Sequence, residues 1–264
     1  MHFLDVGAGV PVVALHGWTP DHRLMSGCLE PVFTARPGYR RLYPDLPGMG
    51  RSAAPPGIAS SDDVLAEIHR FIDAEVGEEP FLLLGESYGG YLARAVTRDR
   101  PAQVLGVGLI CPTVVLPRSR RTVPPHRVLR RDPDLAAGVA DAALLAEFEE
   151  MAVVRTAPVL RRFAEEIWPG LQLADATAMA RIAERWELSE DPDAGPPFSR
   201  PSLILAGLQD ATVGFADQVG LVSRYPRATV AVLDVAGHNL QIEQPALFEA
   251  LIGEWLDRVA ASWD

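Results

Sequence analysis

The stretch Phe81-Leu82-Leu83-Leu84-Gly85-Glu86-Ser87-Tyr88-Gly89-Gly90 decides the fold of this 264-residue chain. Its opening residues are a continuous apolar run, the pattern of a strand buried on both faces. The run passes directly into Gly-x-Ser-x-Gly, and a helical pattern follows over Tyr88–Arg98. A serine at a tight strand-to-helix turn needs glycine on both sides, because the strained backbone leaves no room there for side chains. Such a turn lifts the Ser87 hydroxyl above the sheet and aims the N-terminus of the new helix at it. The bare pentapeptide arises by chance in many chains and also suits a structural glycine turn. Framed by strand and helix, it marks a nucleophile.

Outward from this segment, Pro11–Leu15, Tyr39–Tyr43, Val104–Ile110, Ser202–Ala206 and Thr229–Leu233 read as further strands, most of them continuous in character. Helical patterns lie between them. Ser61-Asp62-Asp63 opens one with Val64, Leu65, Ile68, Phe71 and Ile72, and Gln244–Val259 closes the chain with Leu247, Leu251, Trp255 and Leu256. Alternation of strands and helices predicts an α/β fold with a doubly wound, mostly parallel sheet. From about Thr113 to Ser199 the alternation stops and three helical stripes appear. They are Leu144, Leu145, Phe148 and Met151; then Val159, Leu160, Phe163 and Ile167; then Met179, Ile182 and Trp186 behind a candidate N-cap at Asp175. Prolines 112, 117, 124 and 125 mark the entrance to this region, and Asp191-Pro-Asp-Ala-Gly-Pro-Pro197 marks its exit. Residues 113–199 therefore read as a helical insertion into a core made of residues 1–112 and 200–264.

A serine hydroxyl is a poor nucleophile until a base takes its proton and an acid orients that base. Ser202–Ala206 runs into Gly207-Leu-Gln-Asp210, and Thr229–Leu233 runs into Asp234-Val-Ala-Gly237-His238. Groups beyond the carboxyl ends of parallel strands share one rim of the sheet. Ser87, Asp210 and His238 are thus the expected triad. Asp234 and Asp217 are rival acids, but Asp234 reads as the end of a strand close to His238, and Asp217 falls in a helical pattern. Pro11–Leu15 ends in His16-Gly17-Trp18, where the chain turns. The backbone N–H groups of Trp18 and Tyr88 would face an oxyanion, leaving the side chains of Trp18 and Tyr88 to line the pocket.

With these residues assembled, the chain resembles the α/β-hydrolase fold superfamily, of the capped, cofactor-free kind, over nearly its whole length. The resemblance is carried by His16-Gly17-Trp18, Asp45-Leu-Pro-Gly48-Met-Gly50-Arg-Ser52, the turn at Ser87, Gly207-Leu-Gln-Asp210 and Gly237-His238. It implies a mostly parallel twisted sheet flanked by helices, with residues 113–199 as a helical cap inserted between the sixth and seventh strands of the usual sheet. It also implies a serine hydrolase that cleaves a small carboxylic ester or related acyl compound through an acyl-enzyme, with no metal and no organic cofactor. Apolar cap residues Phe148, Phe163, Trp168 and Trp186, with Trp18, would wall the substrate. Esterases, lactonases, carbon–carbon bond hydrolases, peptidases and haloperoxidases share these motifs, so they define chemistry better than substrate. Haloalkane dehalogenases and epoxide hydrolases use an Asp nucleophile, and Ser87 stands in that place here. The nearest alternative is a carbon–carbon bond hydrolase of a ring-fission diketone. An exopeptidase and a ligand receptor on a hydrolase scaffold are further alternatives. The chain departs from longer relatives in leaving little room for the usual opening hairpin before Pro11.

Composition removes other classes. Net charge is −11, from 24 basic and 35 acidic side chains, which argues against a nucleic-acid partner. Every basic residue is Arg, so Schiff-base, P-loop and Ser-x-x-Lys chemistry is excluded. Cys28 and Cys111 lack metal-ligand or redox spacing and read as small buried side chains. Met1–Gly9 lacks the apolar run of a signal peptide, and no stretch approaches a membrane span. A reducing, cytoplasmic setting and a small-molecule acyl substrate are therefore expected, with no oligomeric state assigned. His16 reads as a buried hydrogen-bonding residue, and His2, His22, His69 and His126 show no partner spacing. Arg118, Arg120, Arg121, Arg127, Arg130 and Arg131 read as a solvated face or, more sharply, as a clamp for an acidic substrate. Glu86, beside the nucleophile, is either held by local hydrogen bonds or acts on His238 or the substrate. The string Gly85-Glu86-Ser87-Tyr88 is similar to the elbow of serine carboxypeptidases, where that Glu helps recognise a free carboxyl end, although nothing else here resembles those larger enzymes.

Overall fold

The computed structural model describes residues 1–262. Among the described residues there are nine strands: β1 (Phe3–Gly7), β2 (Val10–Leu15), β3 (Tyr39–Pro44), β4 (Phe81–Glu86), β5 (Val104–Ile110), β6 (Arg130–Arg131), β7 (Val154–Arg155), β8 (Ser202–Gly207) and β9 (Ala228–Leu233). Seven form one sheet in the order β1-β3-β2-β4-β5-β8-β9, in which β1 alone runs antiparallel. The continuous apolar runs occupy its centre, as burial on both faces requires. The two-residue strands β6 and β7 pair in parallel apart from it.

The helices are α1 (His22–Thr34), α2 (Ser61–Glu75), α3 (Ser87–Asp99), α4 (Ala142–Met151), α5 (Ala157–Glu166), α6 (Trp168–Leu173), α7 (Ala176–Ala183), α8 (Phe215–Val219), α9 (Leu240–Glu243) and α10 (Pro245–Ala260). Ser60 caps α2 through its side chain, and Asp175 caps α7 by accepting from Thr177 and Ala178. Alternate strand residues divide the core. Val12, Ala14, Leu82 and Leu84 pack with α1, α5 and α10 on one face. Val13, Leu15, Phe81 and Leu83 pack with α2 and α3 on the other. The segment between β5 and β8 feeds both faces: Val159, Leu160 and Phe163 join the first cluster, Met179 and Ile182 the second.

Three local readings change. A strand does precede Pro11: β1 pairs with β3 rather than forming a hairpin with β2, because β3 lies between them. α1 carries Leu24, Met25, Cys28, Leu29, Val32 and Phe33 on its buried face, a helical spacing interrupted to the eye by Pro31. Trp186 is not part of the third helical stripe, since α7 stops at Ala183 and the chain bends.

Strand order places the site. From β2 the chain steps outward to β3, then crosses back to β4 on the other side of β2. That reversal opens a crevice at the carboxyl ends of β2 and β4. Leu15 pairs with Gly85, so His16-Gly17-Trp18 and Glu86-Ser87 emerge level with each other. Gly207 likewise pairs with Leu233, which brings the loops carrying Asp210 and His238 to the same rim.

Candidate active site

The turn after β4 is as tight as its glycines require. Ser87 has φ 51°, in the left-handed region. A Cβ on Gly85 would lie 2.4 Å from the Gly89 carbonyl oxygen, and one on Gly89 would lie 2.4 Å from those of Leu15 and His16. Any side chain at either place would push α3 off the sheet, so both glycines are there for close approach of backbone.

Ser87 Oγ and His238 Nε2 are hydrogen-bonded at 2.9 Å, and His238 Nδ1 lies 2.9 Å from Asp210 Oδ2, which accepts from it. The other Asp210 oxygen accepts from the backbone amides of Thr212 (2.9 Å) and Val213 (3.0 Å), which fixes the carboxylate plane. Burial alone would raise the Asp210 carboxyl. The His238 charge and these hydrogen bonds outweigh it and hold the group below the usual range. Burial disfavours charge on His238, yet the Asp210 charge and hydrogen bond, with Glu86, push its pKa up to about 9. The rival acids stand elsewhere: Asp234 accepts from Gln209 (2.8 Å) and Asp217 from the Thr122 amide (3.0 Å).

The amides of Trp18 and Tyr88 border the same cavity and donate to no protein group among the described residues. Tyr88 stands at the N-terminus of α3, where the helix dipole favours negative charge. The cavity measures about 250 Å³. Trp186 stacks on Tyr88 (4.5 Å, 10°), and Trp18 meets both rings edge-on at 4.2 and 5.1 Å. Ser61 locks this trio by accepting from the Tyr88 hydroxyl (2.8 Å) and donating to the Trp186 carbonyl (2.6 Å). Leu24, Met151, Phe163, Ile167, Leu171 and Val213 make the opposite wall.

Of the aromatic residues expected to wall the substrate, Trp18, Phe163 and Trp186 line the cavity, and Phe148 and Trp168 are not among its lining residues. Phe148 is buried against Phe163 at 5.5 Å in the core. Trp168 opens α6; Ile167 and Leu171, one turn apart, take the inward face, and Trp168 is rotated off it. Thr113, Arg121, Glu147 and Asn239, not singled out from sequence as wall residues, complete the lining. Arg121 donates to the carbonyls of Val115, Thr212 and Leu116, whereas Arg118, Arg120, Arg127, Arg130 and Arg131 are exposed.

Glu243 is a supporting residue missed in the sequence. Buried in α9, it accepts from the amides of Gly237 (2.6 Å), Val153 (2.7 Å) and Val154 (3.1 Å), tying the His238 loop to the chain after α4. Its only signal was a position five residues past His238. His16 is fully buried, hydrogen-bonded to the Gly17 carbonyl (2.7 Å) and accepting from the Leu46 amide (2.9 Å). Burial lowers its pKa, so it serves as a neutral brace. His2 and His22 both bond Asp45 (2.8 and 2.7 Å), whose oxygens also accept from the His22 and Arg51 amides. These side chains converge closely enough to ligate a metal, as do Cys111, Asp210 and His238. In both groups hydrogen bonding accounts for the arrangement. Among the described residues no helix is long and apolar enough to cross a membrane.

A switch-point crevice holding a strained serine in contact with a histidine defines a class of protein. The chain belongs to the alpha/beta hydrolase family, whose profile matches residues 12–251. It is similar to an alpha/beta superfamily hydrolase from Oenococcus oeni PSU-1, with a TM-score of 0.91 and 30% identity, covering 98% of this chain and 96% of that one. It is 27% identical to a 2-hydroxy-6-oxononadienedioate/2-hydroxy-6-oxononatrienedioate hydrolase of Burkholderia vietnamiensis, over 98% of this chain and 91% of that protein. It is 26% identical to haloalkane dehalogenase 2 of Mycobacterium tuberculosis, over 96% of this chain and 90% of that protein. The protein is an enzyme of the hydrolase class.

Proposed function

We propose that this enzyme is a serine hydrolase of small carboxylic esters or related acyl compounds, working through an acyl-enzyme. The observation that carries the reading is the unbroken Ser87–His238–Asp210 chain, 2.9 Å at each step, beside an apolar cavity. Ser87 Oγ attacks the carbonyl carbon as its proton passes to His238 Nε2. The oxyanion faces the Trp18 and Tyr88 amides, one such donor being worth about 3 kcal/mol of barrier. The imidazolium then gives its proton to the departing alkoxide. A water, deprotonated by Nε2, attacks the acyl carbon, and the proton returns to Ser87 as the acid leaves. Asp210 holds the tautomer throughout. Residues 113–199 act as the cap that sets substrate size, and two buried free cysteines suit a cytoplasmic setting.

The second reading is a carbon–carbon bond hydrolase of a ring-fission diketone. It is favoured by the Burkholderia relative and by Arg121 at the cavity, a positive charge for an anionic substrate. Haloalkane dehalogenation is the weaker reading, because Ser87 stands where those enzymes carry Asp.

Hydrolysis of p-nitrophenyl esters from acetyl to dodecanoyl tests the proposal. The small cavity predicts a maximum among short acyl chains and a fall of about 10⁴- to 10⁶-fold in kcat for Ser87→Ala. No turnover by folded protein across the series, with consumption of a coloured ring-fission diketone instead, would transfer the assignment to the second reading.

A further inference from the structure

Most buried charged side chains in this molecule have a structural task that accounts for them. Asp21 caps α1, Asp45 binds two histidines and two amides, Arg94 bonds Asp193 and the Thr113 carbonyl, and Glu243 gathers three amides. Glu86 is different. It is 2% exposed, lines the cavity, and sets Oε1 3.4 Å from His238 Nε2, the nitrogen that Ser87 Oγ approaches at 2.9 Å. Its other neighbour is Gly17, whose amide donates toward it, and a Cβ there would fall 2.2 Å from Oε2. A buried carboxyl placed against the one atom that must gain and lose a proton has more than a packing role.

We propose that Glu86 is a second carboxylate partner of the base, a positioning residue that shares His238 Nε2 with Ser87. The proposal rests on the reading of Ser87 as nucleophile and His238 as base. An ionised Glu86 holds Nε2 protonated in the resting site, where it cannot accept from Ser87. Once the serine proton has been transferred, the same carboxylate braces the imidazolium until the leaving group takes the proton. Glu86 thus acts in two opposed directions, against formation of the free base and in favour of the charged intermediate. Burial keeps Glu86 itself poised, with a pKa raised to about 7, so its charge changes in the working range.

Other groups around it do not change in the test. Asp210 adds negative potential and Arg121 opposes it at His238. The Cys111 thiol, just past β5, and the Cys28 thiol on α1 are pushed up by burial and stay neutral. Glu147 on α4 lines the same cavity.

Glu86→Gln keeps the size and removes the charge. Its acid limb in kcat/KM is expected at least about one pH unit below that of the unaltered enzyme, with kcat on the alkaline plateau about tenfold lower. This crossing, faster in acid and slower in base, is not what a loosened structure produces. The His238 ring titration, followed by NMR, reads the same shift without turnover and serves if the variant is inactive. Glu86→Asp, which withdraws the carboxylate by one carbon, should move the titration in the same direction by less and replaces Glu86→Gln if that variant fails to fold. An unmoved His238 titration in the folded variant overturns the proposal while leaving the triad in place. Activity retained by Ser87→Ala would overturn the triad reading and this one together.

Discussion

Ser87 sits at a backbone angle that serine seldom adopts, between two glycines where a Cβ would meet backbone carbonyls. His238, packed between Asp210 and Glu86, must be neutral to accept the serine proton. Its pKa is raised well above the ordinary value of 6.5, so the neutral base becomes more populated as pH rises. The expected outcome is a kcat/KM that climbs about tenfold per pH unit on the acid side and levels off only in alkaline solution. A pH–rate profile with a flat region between pH 6 and 7 would contradict this charge arrangement. That Ser87, Asp210 and His238 meet was legible in the sequence because each follows a short apolar strand into a turn. For Glu86 the sequence left local hydrogen bonding, His238 and the substrate all open, since adjacency in the chain does not tell which way a side chain points.

At the scale of elements, the His238 loop is tied down by a short helix. Glu243 in α9 gathers the Gly237 amide from the His238 loop and the Val153 and Val154 amides from the chain after α4. Removing it leaves three buried donors without their acceptor. Glu243→Ala should cost about 3 kcal/mol in urea unfolding and lower kcat as His238 drifts, whereas Glu243→Gln, keeping one acceptor oxygen, should lose less. A loss in the alanine variant below about 1 kcal/mol would show that water replaces the carboxylate. Arg94 does comparable work at the two ends of the inserted segment: Nη1 donates to the Thr113 carbonyl and Nε to Asp193 at 3.0 Å. Periodicity revealed most of these helices but not their rotation. Phe148 and Phe163 are both apolar positions of good stripes, and only packing decided that Phe163 meets the cavity while Phe148 meets Phe163.

Across the whole molecule, the inserted segment is bound into both hydrophobic clusters rather than resting on the rim. Val159, Leu160 and Phe163 share a cluster with Leu24, Cys28 and Trp255, and Met179 and Ile182 share the other with Leu46 and Tyr88. Core and insertion should therefore unfold together. One calorimetric transition, with van't Hoff and calorimetric enthalpies equal, is the expected result. A separate low-temperature transition abolished by deleting residues in the insertion would show an independent unit.

The sequence by itself determined the mostly parallel α/β sheet, the strained serine turn, and the loops that carry Asp210 and His238 after later strands. These are local matters: burial on two faces writes a continuous apolar run, and a turn without space writes glycine. Tertiary structure alone decided which carboxylate meets His238 from which side, that β1 pairs with β3, and which residues of the segment between β5 and β8 face the cavity. Those outcomes depend on strand order, register and helix rotation, which bring together residues as distant as Ser87 and His238. Contacts of that kind arise from packing the whole chain, and no short window of sequence contains them.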